Sequence, residues 1–233
     1  MISLFCRMYQ KRIITSEDGS HTIELIGQNE QYHSTHGAIQ ESNHVYIKNG
    51  LERVAQNIKT ISILEVGMGT GLNVLLTWIY AKENGLKINY HAVEAYPVEK
   101  EIWNQLNYTT LVNNSKSEEI FSKIHDSIWN ETFELDSNFS LTKMEESIID
   151  SNLPNEEYVV VYFDAFNPDL EPELWTSELF EKIYCSMKPE SVLSTYSTKG
   201  IVKRALKSCG FSIEKKPGPP GKREILNAVK ITT

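Results

Sequence analysis

The residue types best suited to chemistry cluster in one short stretch, Glu65-Val66-Gly67-Met68-Gly69-Thr70-Gly71-Leu72-Asn73. Glycine tolerates positive φ and, lacking a Cβ, lets a ligand come close to the backbone at the carboxyl edge of a sheet. A helix N-terminus just beyond favours a carboxylate or phosphate. The spacing is G-x-G-x-G rather than the G-x-G-x-x-G of dinucleotide binders, and an acid precedes the first glycine. Such an acid suits a ligand carrying an amino group better than a pyrophosphate. Twenty-three residues past Gly71 comes Glu94-Ala95, where a carboxylate at the end of a second strand can accept both hydroxyls of a ribose. Together these residues predict a nucleoside-cofactor site made by Glu65, Gly67, Met68, Gly69, Thr70, Gly71, Asn73, Glu94 and Ala95. Singly, each is as readily part of a tight turn or an ordinary surface. A third acid, Asp164, closes the run Tyr158-Val159-Val160-Val161-Tyr162-Phe163 and is followed by Ala165, Phe166 and Pro168. It falls at the same sheet edge, with a flat ring beside it and a proline stiffening the loop. A helix-cap or turn role is its alternative.

These residues need strands to carry them. Ile61-Ser62-Ile63-Leu64-Glu65-Val66 reads as a strand ending in the glycines, and residues 72–82 as a helix with apolar side chains at helical spacing. Residues 88–94 make the next strand, 98–107 a helix, 139–144 a third strand and 158–164 a fourth, nearly all apolar as a central strand should be. A helix over 177–186, a strand over 191–196 and a helix over 201–208 follow. A final strand pair, 211–215 and 224–230, flanks the Pro/Gly-rich turn 216–221. Strands alternating with helices predict a mostly parallel, doubly wound α/β sheet of Rossmann-like type with an antiparallel C-terminal strand. Short β-like pieces, Thr22-Ile23-Glu24-Leu25 and His44-Val45-Tyr46-Ile47, mark residues 1–50 as a β-rich extension ahead of a main domain over 51–233. Residues 113–138 are polar and aperiodic, and no element is placed there.

Composition narrows the class. At 233 residues the chain suits one large domain or one domain with an extension. Its 40% apolar and 23% charged residues are those of a globular protein. No apolar run approaches the ~20 residues that span a bilayer, and residues 1–12 lack the continuous apolar stretch of a secretory signal, so a cytoplasmic location is expected. Cys6, Cys185 and Cys209 are odd in number and widely spaced; each is read as a core or boundary residue rather than as half of a disulfide. His33, His36 and His44 have no further ligand at metal spacing, so no metal is expected. The formal charge is −8, but from Lys188 onward ten basic residues face only three acidic ones. An acidic body with a basic C-terminal quarter can meet a polyanion along one edge.

Several blocks, in order, resemble a known family. They are Tyr32-His33-Ser34-Thr35-His36-Gly37-Ala38 with Glu41-Ser42-Asn43-His44-Val45-Tyr46-Ile47; the glycine block through Asn73; and Phe163-Asp164-Ala165-Phe166-Asn167-Pro168 with Leu174-Trp175-Thr176. Leu193-Ser194-Thr195-Tyr196-Ser197, Val202-Lys203-Arg204-Ala205-Leu206, and Gly210-Phe211 with Pro219-Pro220-Gly221-Lys222-Arg223-Glu224 complete the set. The chain is similar over most of its length to the MnmC-type methyltransferases, which finish 5-methylaminomethyl-uridine at the tRNA wobble position. The bifunctional members add a flavin-dependent oxidase domain, for which 233 residues leave no room, so the resemblance is to the stand-alone form.

The resemblance implies S-adenosyl-L-methionine as cofactor and 5-aminomethyl(-2-thio)uridine in tRNA as substrate. It implies Asp164 as the catalytic carboxylate that orients the amine, next to the cofactor as well. Glu41, Ser42, His44 and Phe166 would contact substrate, and Lys199, Lys203, Arg204, Lys222 and Arg223 would neutralise tRNA phosphates. Where the family usually has an Asp near adenine, this chain has Met144 and Glu145, which become the candidates. A monomer without membrane or metal partners is expected. The rival readings are a methyltransferase for a small molecule or a protein on the same fold, and a nicotinamide-dependent oxidoreductase or nucleotide-binding module.

Overall fold

In a computed structural model the described residues, 9–231, begin with a small antiparallel sheet. It is made by Lys11–Thr15 (β1), His21–Leu25 (β2) and Glu30–Gln31 (β3). Asp18 closes the β1–β2 turn by accepting hydrogen bonds from Ser16 and from the Ser20 backbone. The chain then enters one long helical stretch: Ala38–Ser42 (α1), the π-helical Asn43–Leu51 (α2) and Glu52–Ala55 (α3). This corrects the expected strand at 44–47, and the expected boundary at residue 50 falls inside a helix. Four residues are too few to show a period; the longer window buries Ala38, Val45, Tyr46, Ile47, Leu51, Val54 and Ala55. Gly50 lets α2 lie close against the sheet, since a Cβ there would meet Ser194 at 3.0 Å and Tyr162 at 3.1 Å.

The main sheet follows the predicted alternation. Thr60–Val66 (β4), Leu72–Asn84 (α4) and Lys87–Val93 (β5) form a strand–helix–strand unit. The expected helix over 98–107 is realised only as the short Lys100–Trp103 (α5), and a second turn, Tyr108–Leu111 (α6), follows beyond that range. Between them Asn107 turns away to tie down the small sheet, accepting the His21 N–H at 2.8 Å and donating to the Gly19 carbonyl at 2.9 Å. The stretch left without an element holds Ser117–Asp126 (α7) and Thr132–Asp136 (β6). Phe139–Met144 (β7), Tyr158–Phe163 (β8), Ser177–Ser186 (α8), Met187–Thr195 (β9), Gly200–Ser208 (α9), Ser212–Pro217 (β10) and Glu224–Val229 (β11) complete the chain.

The eight strands run in the order β10-β11-β9-β8-β4-β5-β7-β6. The five from β9 to β7 are parallel; β6, β11 and β10 are antiparallel to their neighbours. This is the Rossmann-like α/β architecture expected. Alternation along the strands splits the core between the two faces. Ile61, Ile63, Tyr90 and Tyr162 pack with Trp78 of α4 on one face. Leu64, Val66, Val161 and Phe163 pack with Phe180 of α8 on the other. Cys209 is half-buried, but Cys185 is exposed, contrary to its expected place in the core or at its boundary. Cys6 lies outside the described residues.

Candidate active site

The strand order reverses beside β4: α4 carries the chain to β5 on one side, whereas β8 pairs with β4 on the other. A crevice opens at the carboxyl ends of strands at such a point. Gly67 and Asp164 leave the two strands there side by side. Gly67 has φ +85°, and a Cβ on it would come within 2.7 Å of the Asp164 carbonyl oxygen, so only glycine fits. The crevice is a cavity of about 780 Å³.

Part of its wall is made by 67–69, 94–96 and 146–150. The two Glu94 oxygens accept N–H bonds from Gly69 at 2.9 Å and Tyr96 at 2.8 Å, which fixes the carboxylate and leaves each oxygen a further lone pair. Burial pushes its pKa up against the pull of those donors. Glycines that admit a close ligand and a pinned carboxylate able to take a ribose diol fit the nucleoside part of S-adenosylmethionine. The adenine candidates are displaced: β7 ends at Met144, and neither it nor Glu145 forms part of the wall, whose corresponding stretch is 146–150.

The other predicted cofactor residues stand behind the wall. Glu65 is fully buried, and burial raises its pKa well above the usual carboxylate range. Thr70 shares a 2.7 Å hydrogen bond with the His33 ring, and Gly71 packs against His125. His33 lines the cavity, but burial lowers its pKa to about 4, so it is neutral. Asn73 donates from one Nδ2 to Glu65 Oε1 and to Asp164 Oδ2, both at 2.9 Å.

Asp164 lines the same cavity beside Gly67. Burial pushes its pKa up to about 7, helped by the Glu41 charge and resisted by the Tyr46 and Asn73 hydrogen bonds and by Lys222. The Tyr46 hydroxyl donates to Oδ1 at 2.5 Å. Phe166 stands edge-on to Tyr32, ring centroids 5.0 Å apart, in the cavity wall. Trp175 is buried and donates its indole N–H to the Phe166 carbonyl at 2.8 Å, which holds that loop.

Of the three N-terminal substrate candidates only Glu41 reaches the cavity. Ser42 is buried in the helix packing, and His44 binds the Pro217 carbonyl at 2.7 Å. Lys222, expected on phosphates, lines the cavity. Its ammonium turns inward, 2.5 Å from Glu41 Oε1 and 4.2 Å from the centre of the Tyr196 ring. Gly221 lies against His36 with no room for a Cβ. Lys199, paired with Asp169, and exposed Arg223 border a shallow groove that shares Tyr196 and Lys222 with the cavity. Half-buried Lys203 and exposed Arg204 lie on α9 and belong to neither hollow.

Sequence reasoning missed Tyr46, Tyr196 and Glu171. Tyr46 was hidden by the strand reading of its segment. Glu171 is buried beside Glu94, Glu173 and Glu30, and its pKa rises to about 7 through burial first and those charges second. Nothing in its local pattern marked it. Among the described residues no group of three or more metal-ligating side chains is assembled.

Residues 101–231 match a family model described as S-adenosyl-L-methionine-dependent methyltransferase. The chain is 28% identical over 234 residues to the "tRNA 5-methylaminomethyl-2-thiouridine biosynthesis bifunctional protein MnmC" of Burkholderia mallei (strain SAVP1), covering 94% of this chain and 35% of that protein. The protein of the same name in Burkholderia multivorans is 29% identical over 207 residues, covering 84% and 31%. The chain thus spans about a third of the length of these relatives. Among solved structures, MNMC2 from Aquifex aeolicus superposes with a TM-score of 0.79 at 22% identity, covering 98% of this chain and 72% of that one. Spermidine synthase from Thermotoga maritima gives 0.57 at 12% identity, covering 95% and 69%. At these identities the structural likeness is one of fold.

Proposed function

The chain belongs to the family of S-adenosyl-L-methionine-dependent methyltransferases, and on that premise we propose that it methylates the exocyclic amine of 5-aminomethyl(-2-thio)uridine at the tRNA wobble position. Family membership sets aside the nicotinamide reading. The name of the Burkholderia relatives supports the choice of substrate. The observation that carries the reading is Asp164, a carboxyl with a pKa near 7 set in a cavity wall beside Phe166.

The cofactor end would be held by Gly67, Gly69, Glu94 and the 146–150 segment. When bound, S-adenosylmethionine supplies a methyl group activated by a sulfonium. The protein's part is to present an uncharged amine in the right direction. Most of a primary amine is protonated in neutral water, and only its neutral form has a lone pair to offer. Asp164, ionised above its pKa, can accept the amine's N–H bonds and take its proton. Fixing that geometry is worth up to ~7–11 kcal/mol in favourable systems. Phe166 and Tyr32 offer aromatic surface to a flipped-out base, and base–aromatic contacts contribute ~1–3 kcal/mol. Lys199, Lys203, Arg204 and Arg223 would meet phosphates outside the cavity. Lys222 serves inside it, holding Glu41 and Tyr196 in place.

The N-terminal segment would supply the substrate side of the wall through Tyr32 and Glu41, with Tyr46 buried behind it. Among the described residues no helix is long and apolar enough to cross a membrane; a cytoplasmic location accords with a tRNA substrate. The test is methylation of bulk tRNA against protein extract and small amines, using the same enzyme. Label confined to the wobble nucleoside supports the proposal. Label on protein or on free amines favours the other methyl acceptors.

A further inference from the structure

We propose that Tyr46 is the positioning residue of the site: its phenol holds one oxygen of Asp164 while Asn73 holds the other, which fixes the carboxylate's plane. The proposal rests on the reading of Asp164 as the group that receives the amine. Tyr46 arrives from the π-helical stretch of α2, 118 residues away in sequence, and donates to Oδ1 at 2.5 Å. Asn73 arrives from the first turn of α4 and donates to Oδ2 at 2.9 Å. With each oxygen engaged by a donor from a different helix, the carboxylate cannot rotate without giving up one of them. The lone pairs left over remain for a ligand.

Asn73 also donates to Glu65, so one amide joins the buried Glu65 carboxyl to the cavity-lining Asp164. Burial drives the Glu65 pKa well up, against the pull of Asn73. Asp164 has the phenol as a donor in addition, which favours its charged form. Two neighbouring carboxyls divide their duties when their surroundings push their pKa values apart. Tyr46 is itself a dependable donor: it is 1% exposed, its ring packs on Tyr162 with centroids 5.2 Å apart, and burial holds its hydroxyl protonated.

The groups acting on Asp164 are Tyr46 and Glu41 from the N-terminal helices, Glu65 and Tyr90 from β4 and β5, and Tyr196 and Lys222 from the C-terminal part. Glu41 raises the Asp164 pKa and Lys222 lowers it; the three phenols stay protonated. Without the Tyr46 hydroxyl, burial and Glu41 are opposed only by Asn73 and Lys222. Asp164 then takes up a proton at a higher pH.

The test is Tyr46→Phe, which keeps the ring packing; urea unfolding checks the fold. Side-chain carboxyl NMR on aspartate-labelled protein, with the Asp164 signal assigned by its disappearance in Asp164→Asn, reads the ionisation directly. The Asp164 midpoint is expected to rise by about one pH unit. The single-turnover methylation rate is expected to fall about tenfold at pH 6.5 and to recover to within about threefold by pH 9. An unmoved midpoint, or a rate loss equal at every pH, overturns the proposal. Failure of the underlying reading looks different: Asp164→Asn would then methylate normally, whatever Tyr46→Phe does.

Discussion

Asp164→Asn should slow the enzyme and stabilise it, and the stabilisation should depend on pH in a way the structure specifies. Burial raises the folded-state pKa of this carboxyl from 3.8 to about 7. A carboxyl whose folded pKa lies above its unfolded one favours the folded state when protonated. The penalty for burying its charge is therefore absent below about pH 4 and complete only above about pH 7. A shift of about three units corresponds to ~4 kcal/mol at 1.36 kcal/mol per unit. Part of the side chain borders an open cavity, so about half of that, ~2 kcal/mol, is the reasonable expectation. Asparagine is neutral at every pH and nearly the same shape. It also changes the hydrogen bonds to Tyr46 and Asn73, but that cost does not vary with pH and cancels when two pH values are compared. Urea unfolding of wild type and variant at pH 4.5 and pH 8.5 should show the variant gaining ~2 kcal/mol relative to wild type at the higher pH. Turnover should drop ~10²–10⁴-fold. A stability difference that is the same at both pH values, or that moves the other way, would refute the reasoning about where the charge sits.

Glu94→Ala should weaken S-adenosylmethionine binding by ~1.5–3 kcal/mol in calorimetry, the range for charge-assisted hydrogen bonds, and unchanged affinity would remove Glu94 from the cofactor site. Reversing Lys199 and Arg223 together to Glu should raise the tRNA KM and reduce its salt slope by about 0.9 for each phosphate no longer neutralised, leaving cofactor affinity alone. Lys222, turned into the cavity, should behave differently: Lys222→Met should depress turnover with little change in salt slope, and a slope change like that of the surface pair would return it to phosphate binding.

The parallel core was legible because buried central strands leave unmistakable apolar runs: β4, β5, β7 and β8 all fall close to where the pattern places them. The glycines and Asp164 were legible for the same reason, since each directly ends one of those runs. What the sequence concealed lies in segments whose pattern is set by distant partners. Edge strand β6 opens with three exposed residues and so shows no clean alternation. Within 98–107 only Lys100–Trp103 is helical, and Asn107 at the far end is engaged instead by the turn at Gly19 and His21. The inward turn of Lys222 depends on Glu41, 181 residues away, and on Tyr196. Tyr46 was in view within the right block but on the wrong element, because a π-helical stretch places its side chains at neither of the two usual periods.

The proposed function turns on one transfer, and one measurement addresses it directly. Purified protein is incubated with S-adenosylmethionine carrying a deuterated methyl group and with tRNA bearing 5-aminomethyl-2-thiouridine, and the tRNA is then digested for nucleoside mass spectrometry. The deuterated methyl should appear on the wobble nucleoside as 5-methylaminomethyl-2-thiouridine with the wild-type protein, and at a rate ~10²–10⁴-fold lower with Asp164→Asn. Unlabelled wobble nucleoside with protein that binds the cofactor normally, or equal labelling by both proteins, would contradict it.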